Sequence, residues 1–257
     1  MKDRVRRIHW LVITTSGLLL AGATMALASI STETKKVSLP ADGTTHTATA
    51  KCAHGEVTGG GTKLSDDIND FAQGSYPAGD DGWTAAAYRD ADHVTTEQFT
   101  ASARCVTNEK VSSDKGTKAL GSNAEARTAV AHCANGTHVA GGGGKLSDDV
   151  SDYFSGSYPK GNDAWAAVGH GVGKITSTAR CIKGGVTIKR KTTDLENDSD
   201  THRVTAHCPN GMKSTGGGAR LNDPFNDFVQ GTYPAGPDGW TAAGYGAGKV
   251  TAFVVCV

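Results

Sequence analysis

The sequence predicts an all-β protein made of three tandem copies of one disulfide-closed, antiparallel module. Three observations support this prediction. The chain of 257 residues aligns with itself three times. Its short segments alternate small or β-branched residues with polar ones, which is typical of half-buried strands. No segment places apolar residues at helical spacing over several turns, and the 34 glycines argue against long helices.

The copies share the same anchors in the same order, and the repeats span residues 29–106, 107–182 and 183–257. The glycine triplets are Gly59–Gly61, Gly141–Gly143 and Gly216–Gly218. The Tyr-Pro steps begin at Tyr76, Tyr158 and Tyr233, and the tryptophans are Trp83, Trp165 and Trp240. The segments 107–125 and 183–200 start with a short β-type stretch and continue as polar sequence. They are either the first strand of the next repeat or flexible spacers.

The first 28 residues have the pattern of a secretory signal peptide. Four basic residues precede an apolar run from Leu11 to Leu27, and Ala26-Leu27-Ala28 matches a signal peptidase site. An uncleaved membrane anchor is the alternative, but the run is short and contains several hydroxyl residues. We therefore expect a secreted, extracellular protein with no membrane association after cleavage.

Six cysteines occur as two in each repeat. The simplest connectivity that preserves the repeat is one bridge within each copy, and an exported protein meets the oxidising conditions that such bridges need. Each bridge would tie the first core strand of its repeat to the last. The predicted pairs are Cys52–Cys105, Cys133–Cys181 and Cys208–Cys256.

The glycine triplets lie where a strand is expected, although glycine weakens a strand. Their recurrence indicates that a large group covers the backbone there, and the tryptophan of each repeat is the candidate. A β-bulge that turns the strand is the alternative. A phosphate-binding loop is excluded, because Lys145 is followed by Leu146 and no helix follows.

Acidic loops follow the triplets and are candidate sites for calcium, which binds clustered oxygen ligands. An Asp-rich turn that satisfies local backbone N–H groups is the alternative, and the spacing is not that of an EF-hand. The candidate ligands are Asp66, Asp70, Asp148, Asp152, Asp223 and Asp227. No other cofactor is expected.

A recurring tryptophan and tyrosine beside aspartates on turns is also typical of sugar-binding surfaces, where rings stack on the sugar and carboxylates bind hydroxyls. Three such sites would bind a polymer with avidity. The alternative is that each tryptophan anchors the core of a small sandwich. The candidate ligand-binding residues are Trp83, Trp165, Trp240, Tyr76, Tyr158, Tyr233, Asp81, Asp163 and Asp238.

The repeats resemble Cys- and Gly-rich modules in exported proteins of high-GC Gram-positive bacteria. The pattern runs from Cys208-Pro209-Asn210-Gly211 through Gly239-Trp240 to Cys256. This resemblance implies export and little else. The threefold repeat and the Cys-Pro-x-Gly opening are also loosely similar to the β-prisms of vitelline membrane outer layer proteins and plant-type lectins. Three separate small sandwiches and one pseudo-threefold prism are both compatible with the sequence. The intra-repeat bridges and the polar intervals favour separate sandwiches.

Neither an enzyme nor a nucleic-acid-binding protein is expected. The chain lacks a nucleophile elbow, a zinc-protease motif and a free thiol, and its 26 basic residues equal its 26 acidic ones. Two functions therefore remain. One is a multivalent, non-catalytic binder of an extracellular glycan or cell-surface polymer. The other is a structural or adaptor subunit that binds a secreted or surface protein. A glycan binder should expose its tryptophans, whereas an adaptor should bury them and expose an apolar patch or strand edge.

Overall fold

A computed structural model describes residues 29–65, 68–92, 95–121, 125–147, 151–198 and 200–257. The predicted signal peptide lies outside these residues. The described residues form strands and turns, and no helix among them is long and apolar enough to cross a membrane. The all-β prediction is confirmed.

Each repeat contributes six strands in the same order. The first repeat forms β1 (Ile30–Leu39), β2 (Thr45–Lys51), β3 (Glu56–Lys63), β4 (Asp70–Ala78), β5 (Gly82–Arg89) and β6 (Glu97–Val106). The second forms β7 (Ser112–Ala119), β8 (Arg127–His132), β9 (His138–Leu146), β10 (Tyr153–Pro159), β11 (Ala164–His170) and β12 (Lys174–Ile182). The third forms β13 (Thr187–Asp194), β14 (His202–His207), β15 (Ser214–Leu221), β16 (Phe228–Ala235), β17 (Gly239–Tyr245) and β18 (Lys249–Cys256). Because β7 and β13 occupy the segments after the repeat boundaries, the spacer alternative is wrong.

The eighteen strands form three six-stranded antiparallel sheets, and every sheet combines strands of two repeats. Their strand orders are β1-β6-β3-β16-β17-β14, β13-β18-β15-β10-β11-β8 and β2-β5-β4-β9-β12-β7. Each sheet thus contains the first, sixth and third strands of one repeat and the fourth, fifth and second strands of another. The third strand of the one repeat pairs with the fourth strand of the other. The preference for separate sandwiches is therefore wrong, because the sheets cross the repeat boundaries and close around a pseudo-threefold axis.

Each repeat nevertheless keeps its own two-layer core. Its two three-stranded halves pack face to face around a tryptophan, with small alanines on the facing strands. The three predicted disulfides are confirmed, and each connects the two halves of its repeat with Cα atoms 5.6–5.8 Å apart. These bridges indicate an oxidising compartment.

The seams between repeats are short. Each seam consists of two residue pairs, for example Gly231 with Lys63 and Thr232 with Thr62 between β16 and β3. A buried side chain of the sixth strand reinforces each seam from the neighbouring repeat. Arg104 donates hydrogen bonds to Ser214 Oγ (2.7 Å) and to the Gly236 carbonyl. Arg180 donates to the Val57 carbonyl (2.8 Å), and Phe253 stacks on Tyr158.

β-Bulges direct side chains onto the pseudo-threefold axis. In each repeat, one residue before the glycine triplet and one residue in the fourth strand are skipped in the pairing register. These extra residues bond across the axis to another repeat. Thr58 Oγ1 donates to the Thr215 carbonyl (2.7 Å), and Gln230 Nε2 donates to the Asp70 carbonyl (2.8 Å). The bulges therefore convert three similar sandwiches into one closed unit.

Candidate functional site

The three tryptophans lie in the core. Each is 0% exposed, and its indole N–H donates to a hydroxyl on the neighbouring strand: Trp83 to Ser75, Trp165 to Ser157 and Trp240 to Thr232. The middle glycine of each triplet lies directly beneath the ring. The prediction that the tryptophan explains the triplet is thus confirmed, and the bulge alternative is also present one residue earlier. Buried indoles have no free face for a sugar ring, which contradicts the exposure that the sugar-binding interpretation requires.

The tyrosines before proline occupy the seams. Tyr76, Tyr158 and Tyr233 are half-buried, and a basic side chain of another repeat lies over each ring at 5.3–5.4 Å from its centroid. The three pairs are Tyr76 with Lys145, Tyr158 with Arg220 and Tyr233 with Lys63. These cation–π contacts join neighbouring repeats, so the tyrosines have a structural role.

The aspartates beside the tryptophans hold the hairpin turns against the disulfides. The backbone carbonyls of Asp81, Asp163 and Asp238 accept hydrogen bonds from the amides of Cys52, Cys133 and Cys208. The Asp81 carboxylate faces Lys51 at 3.4 Å, and the Asp238 carboxylate faces His207 at 3.4 Å. The structure therefore does not bring a tryptophan ring, a tyrosine ring and a carboxylate together at one accessible site.

The acidic loops hold turns at the opposite end of the molecule. Asp70, Asp152 and Asp227 are buried, and the latter two accept hydrogen bonds from consecutive backbone amides of the next hairpin. In the first repeat Arg89 donates to the Asp70 carboxylate instead. The Asp223 carboxylate accepts hydrogen bonds from the backbone amides of Phe225 and Asn226. A hydrogen bond from the Asn226 side-chain amide and these backbone bonds lower the pKa of Asp223. These contacts fit the Asp-turn alternative. The remaining candidates, Asp66 and Asp148, lie outside the described residues.

Asp227 provides a pH-dependent prediction, since its Oδ2 atom is buried without a hydrogen-bond partner among the described residues. Burial raises its pKa above the ordinary 3.8, although the Gly248 amide opposes this shift. A carboxyl whose pKa is higher in the folded state loses stabilisation as the pH rises through that range. Asp227→Asn keeps the acceptor oxygen and cannot ionise. We expect it to stabilise the fold by about 1 kcal/mol at neutral pH. Thermal unfolding should show this gain disappearing near pH ~3, and a gain that is equal at both pH values would contradict the assignment.

Aromatic rings that were not among the predicted site residues form a cluster on the pseudo-threefold axis, at the same end of the molecule as the acidic loops. Phe71, Tyr153 and Phe228 lie at the start of the fourth strand of their repeats, as its first or second residue. They meet edge to face, with centroid separations of 5.6, 6.2 and 6.4 Å. The last residues of the fifth strands surround them. Tyr153 stacks on His170 (4.9 Å), and Phe228 stacks on Tyr245 (5.1 Å).

We call these rings, together with Tyr88 and Phe225, the aromatic platform. Tyr88 contacts Phe71 at 6.3 Å, and Phe225 contacts His170 at 4.9 Å. Tyr153 and Phe225 are each 38% exposed, and the other rings are half-buried. An apolar surface assembled from all three repeats is therefore open to solvent, and soluble proteins keep such contiguous surfaces small unless they bind something.

Carboxylates influence the titration of two rings of the platform. Burial raises the pKa of Tyr88, and the nearby Asp90 and Asp92 raise it further. Burial lowers the pKa of His170, and Asp152 partly opposes this shift. His170 is thus held neutral over a wider pH range than a free histidine. Two rings of this apolar surface therefore lie near acidic side chains.

A signal for the platform exists in the sequence. Each inner ring directly follows the last aspartate of an acidic loop, as in Asp70-Phe71, Asp152-Tyr153 and Asp227-Phe228. The recurrence marks the three positions as equivalent. Their meeting on one axis depends on the sharing of sheets between repeats, which the repeat pattern does not specify.

One further group of possible ligands lies on the loop between β13 and β14. The ligand atoms of Glu196, Asp198 and His202 are within 4.8 Å of one another, and His202 Nε2 is 2.8 Å from the Asp198 carboxylate. The two acids are exposed, and the equivalent pair in the first repeat, Asp42 and His46, has no third ligand among the residues that the structure describes. The group is a surface ion pair with an additional carboxylate nearby.

No protein-family model matches the chain, and no curated protein matches it significantly. We therefore infer the function from the contacts, burial and charges of the described residues.

The burial of the tryptophans makes a spectroscopic prediction. In a chain that begins at Ser29, the emission of Trp83, Trp165 and Trp240 should be that of indoles shielded from water, and it should resist quenching by acrylamide. Titration with cell-wall polysaccharide should leave the emission unchanged, because no ring face is available for stacking. Saturable quenching by a polysaccharide would contradict the burial of the three rings.

Proposed function

We propose that this protein is a secreted, non-catalytic adaptor that binds a protein partner of an extracellular assembly through the aromatic platform. The observation that carries the proposal is the meeting of partly exposed aromatic rings from three repeats at one end of the axis. Aromatic residues are enriched at the centres of protein interfaces. The disulfides support an extracellular location, because such bridges persist in oxidising compartments.

The adaptor function is favoured over triplicate glycan binding by the positions of the recurring aromatic residues. The tryptophans are buried and the recurring tyrosines are paired with basic side chains at the seams. An adaptor was expected to bury its tryptophans and expose an apolar patch, and this arrangement has both properties. The three repeats then contribute to one composite surface, so avidity from three equivalent sites has no structural basis here.

Ser29 and Val257 lie away from the platform. Ser29 lies beside Thr107 at the end of β6, where their backbones bond at 3.1 Å, and Val257 follows the last strand beside Lys213. Both positions are at the disulfide end of the molecule, because β6 and β18 start near the platform and end at their cysteines. A C-terminal tag therefore does not cover the platform.

The test is capture of a partner from culture supernatant by the C-terminally tagged chain. Tyr153→Ser combined with Phe225→Ser removes the two most exposed rings of the platform. Tyr233→Ser removes a half-buried ring at a seam and is the matched control. We expect the wild type and the control to retain the same secreted protein, and the platform variant to lose it while keeping its melting temperature. Retention by all three proteins, or recovery of polysaccharide alone, would contradict the proposal.

A further inference from the structure

We propose that the partner surface recognised by the aromatic platform is cationic, with lysine or arginine side chains that lie on its rings and face its carboxylates. This inference rests on the proposed function, and it specifies the chemistry of the partner at the same site. It follows from the rings, the charges around them and the behaviour of basic side chains elsewhere in the molecule.

The rings provide the first part of the argument. An aromatic face carries partial negative charge, and it attracts an ammonium or guanidinium group within about 6 Å of its centroid. Tyr153 of the second repeat and Phe225 of the third are the most exposed rings of the platform, and both contact His170. A long basic side chain can cover such rings with its aliphatic stem while its charged group reaches the edge of the platform.

Acidic residues at the edge of the platform provide the second reason to expect a cationic partner. Asp90 and Asp92 are exposed on the turn that follows Tyr88, and Asp223 is partly exposed on the same loop as Phe225. Two basic residues of the neighbouring strands are already paired with other carboxylates. Arg89 is buried against the Asp70 carboxylate, and Lys249 Nζ is 2.5 Å from the Asp194 carboxylate. The exposed carboxylates therefore favour a positively charged partner.

The seams provide the third part, because the molecule already uses the same interaction. At each seam a lysine or arginine of one repeat lies over a tyrosine of another, at 5.3–5.4 Å from the ring centroid. The platform also exposes a tyrosine, Tyr153, and no lysine or arginine lies over its ring within the described part of the chain. An external lysine or arginine would complete there the contact that is internal at the seams.

The same charges argue against two other occupants. A second copy of this chain would bring its own Asp90, Asp92 and Asp223 to the interface, and like charges across an interface are unfavourable. A polyanionic cell-wall polymer would meet the same repulsion. A neutral glycan would be indifferent to the carboxylates, so its binding is distinguishable from that of a cationic segment.

The probes are a hexa-arginine peptide, a hexa-glutamate peptide and a neutral Gly-Ser hexapeptide, titrated calorimetrically into the full exported chain. Asp90→Asn combined with Asp92→Asn removes two carboxylates beside the platform. Tyr153→Leu removes a ring but keeps an apolar side chain. Asp114→Asn combined with Asp163→Asn is the matched control, since both residues are exposed and distant from the platform and the change in net charge is the same.

We expect only hexa-arginine to bind, and we expect added salt to weaken the binding. The Asp90/Asp92 variant and Tyr153→Leu should each bind it about three- to tenfold more weakly, and the control should match the wild type. Equal binding of the neutral peptide, or equal weakening in the control, would overturn the inference. If hexa-arginine does not bind but the platform variant still loses the captured protein, the cationic chemistry is wrong and the adaptor function stands. If no protein is captured, the adaptor function itself fails.

Discussion

Replacing Gly217 by alanine is expected to destabilise the protein by about 3 kcal/mol or more. Gly217 is the middle glycine of the third triplet. A Cβ atom there would lie less than 3.0 Å from both Trp240 Cγ and the Phe253 carbonyl oxygen. The indole cannot move away, because it is fully buried and bonded to Thr232. The carbonyl belongs to the paired strand β18, so relief would require breaking the sheet.

The three glycines of a triplet have different roles, and this explains why all three recur. The first glycines, Gly59, Gly141 and Gly216, lie against one another's backbones at the axis. The middle glycines lie beneath the tryptophans. A Cβ atom at a third glycine would meet the backbone of the neighbouring repeat at the seam, as Gly218 does with Ser157. Alanine at any of these positions is therefore expected to be poorly tolerated.

The matched control is Gly185→Ala. Gly185 has a negative φ, and a Cβ atom there would meet nothing within 4 Å. We expect its effect on the free energy of unfolding to stay within about 0.5 kcal/mol. Denaturant unfolding of the two variants compares them directly. A Gly217→Ala protein as stable as the control would show that the tryptophan does not lie over the triplet.

Removal of the Cys208–Cys256 bridge by a double substitution to alanine is the second large effect. The bridge closes a loop with a sequence separation of 48 residues, and its loss should cost about 4 kcal/mol on the chain-entropy estimate. For a chain of this size, that corresponds to a fall of about 8–16 °C in melting temperature.

The shape of the transition is as informative as its midpoint. Because each sheet combines strands of two repeats, loosening the third repeat also weakens the sheets that contain the first and second. We expect one cooperative calorimetric transition at the lower temperature. Two transitions, with two thirds of the unfolding enthalpy at the original midpoint, would show that the repeats unfold independently.

Features contained within one repeat could be predicted from the sequence. The strand class, the three bridges and the pairing of each tryptophan with a glycine triplet all follow from local pattern and from comparison of the three copies. Features between repeats could not be predicted in this way. The seams consist of two residue pairs each, and the axis depends on bulge residues such as Thr58 and Gln230. A two-residue ladder leaves no periodic pattern in the sequence.

The site was missed for the same reason. Recurrence drew attention to Trp83, Trp165 and Trp240, but the structure uses these residues to fill three cores. The surface rings that meet, Phe71, Tyr153 and Phe228, vary in type and are distant from one another in the chain. They become one surface only when the third strand of each repeat pairs with the fourth strand of another. Sequence recurrence therefore identified the core residues more readily than the residues of the aromatic platform.

The most direct test of the central claim is the stoichiometry of the captured partner on the intact chain, measured by native mass spectrometry. Because the three repeats form one composite surface on the pseudo-threefold axis, we expect one partner per chain and loss of that complex in the Tyr153→Ser, Phe225→Ser variant. Three partners per chain, bound independently of these two rings, would show that each repeat carries its own site and would contradict the account.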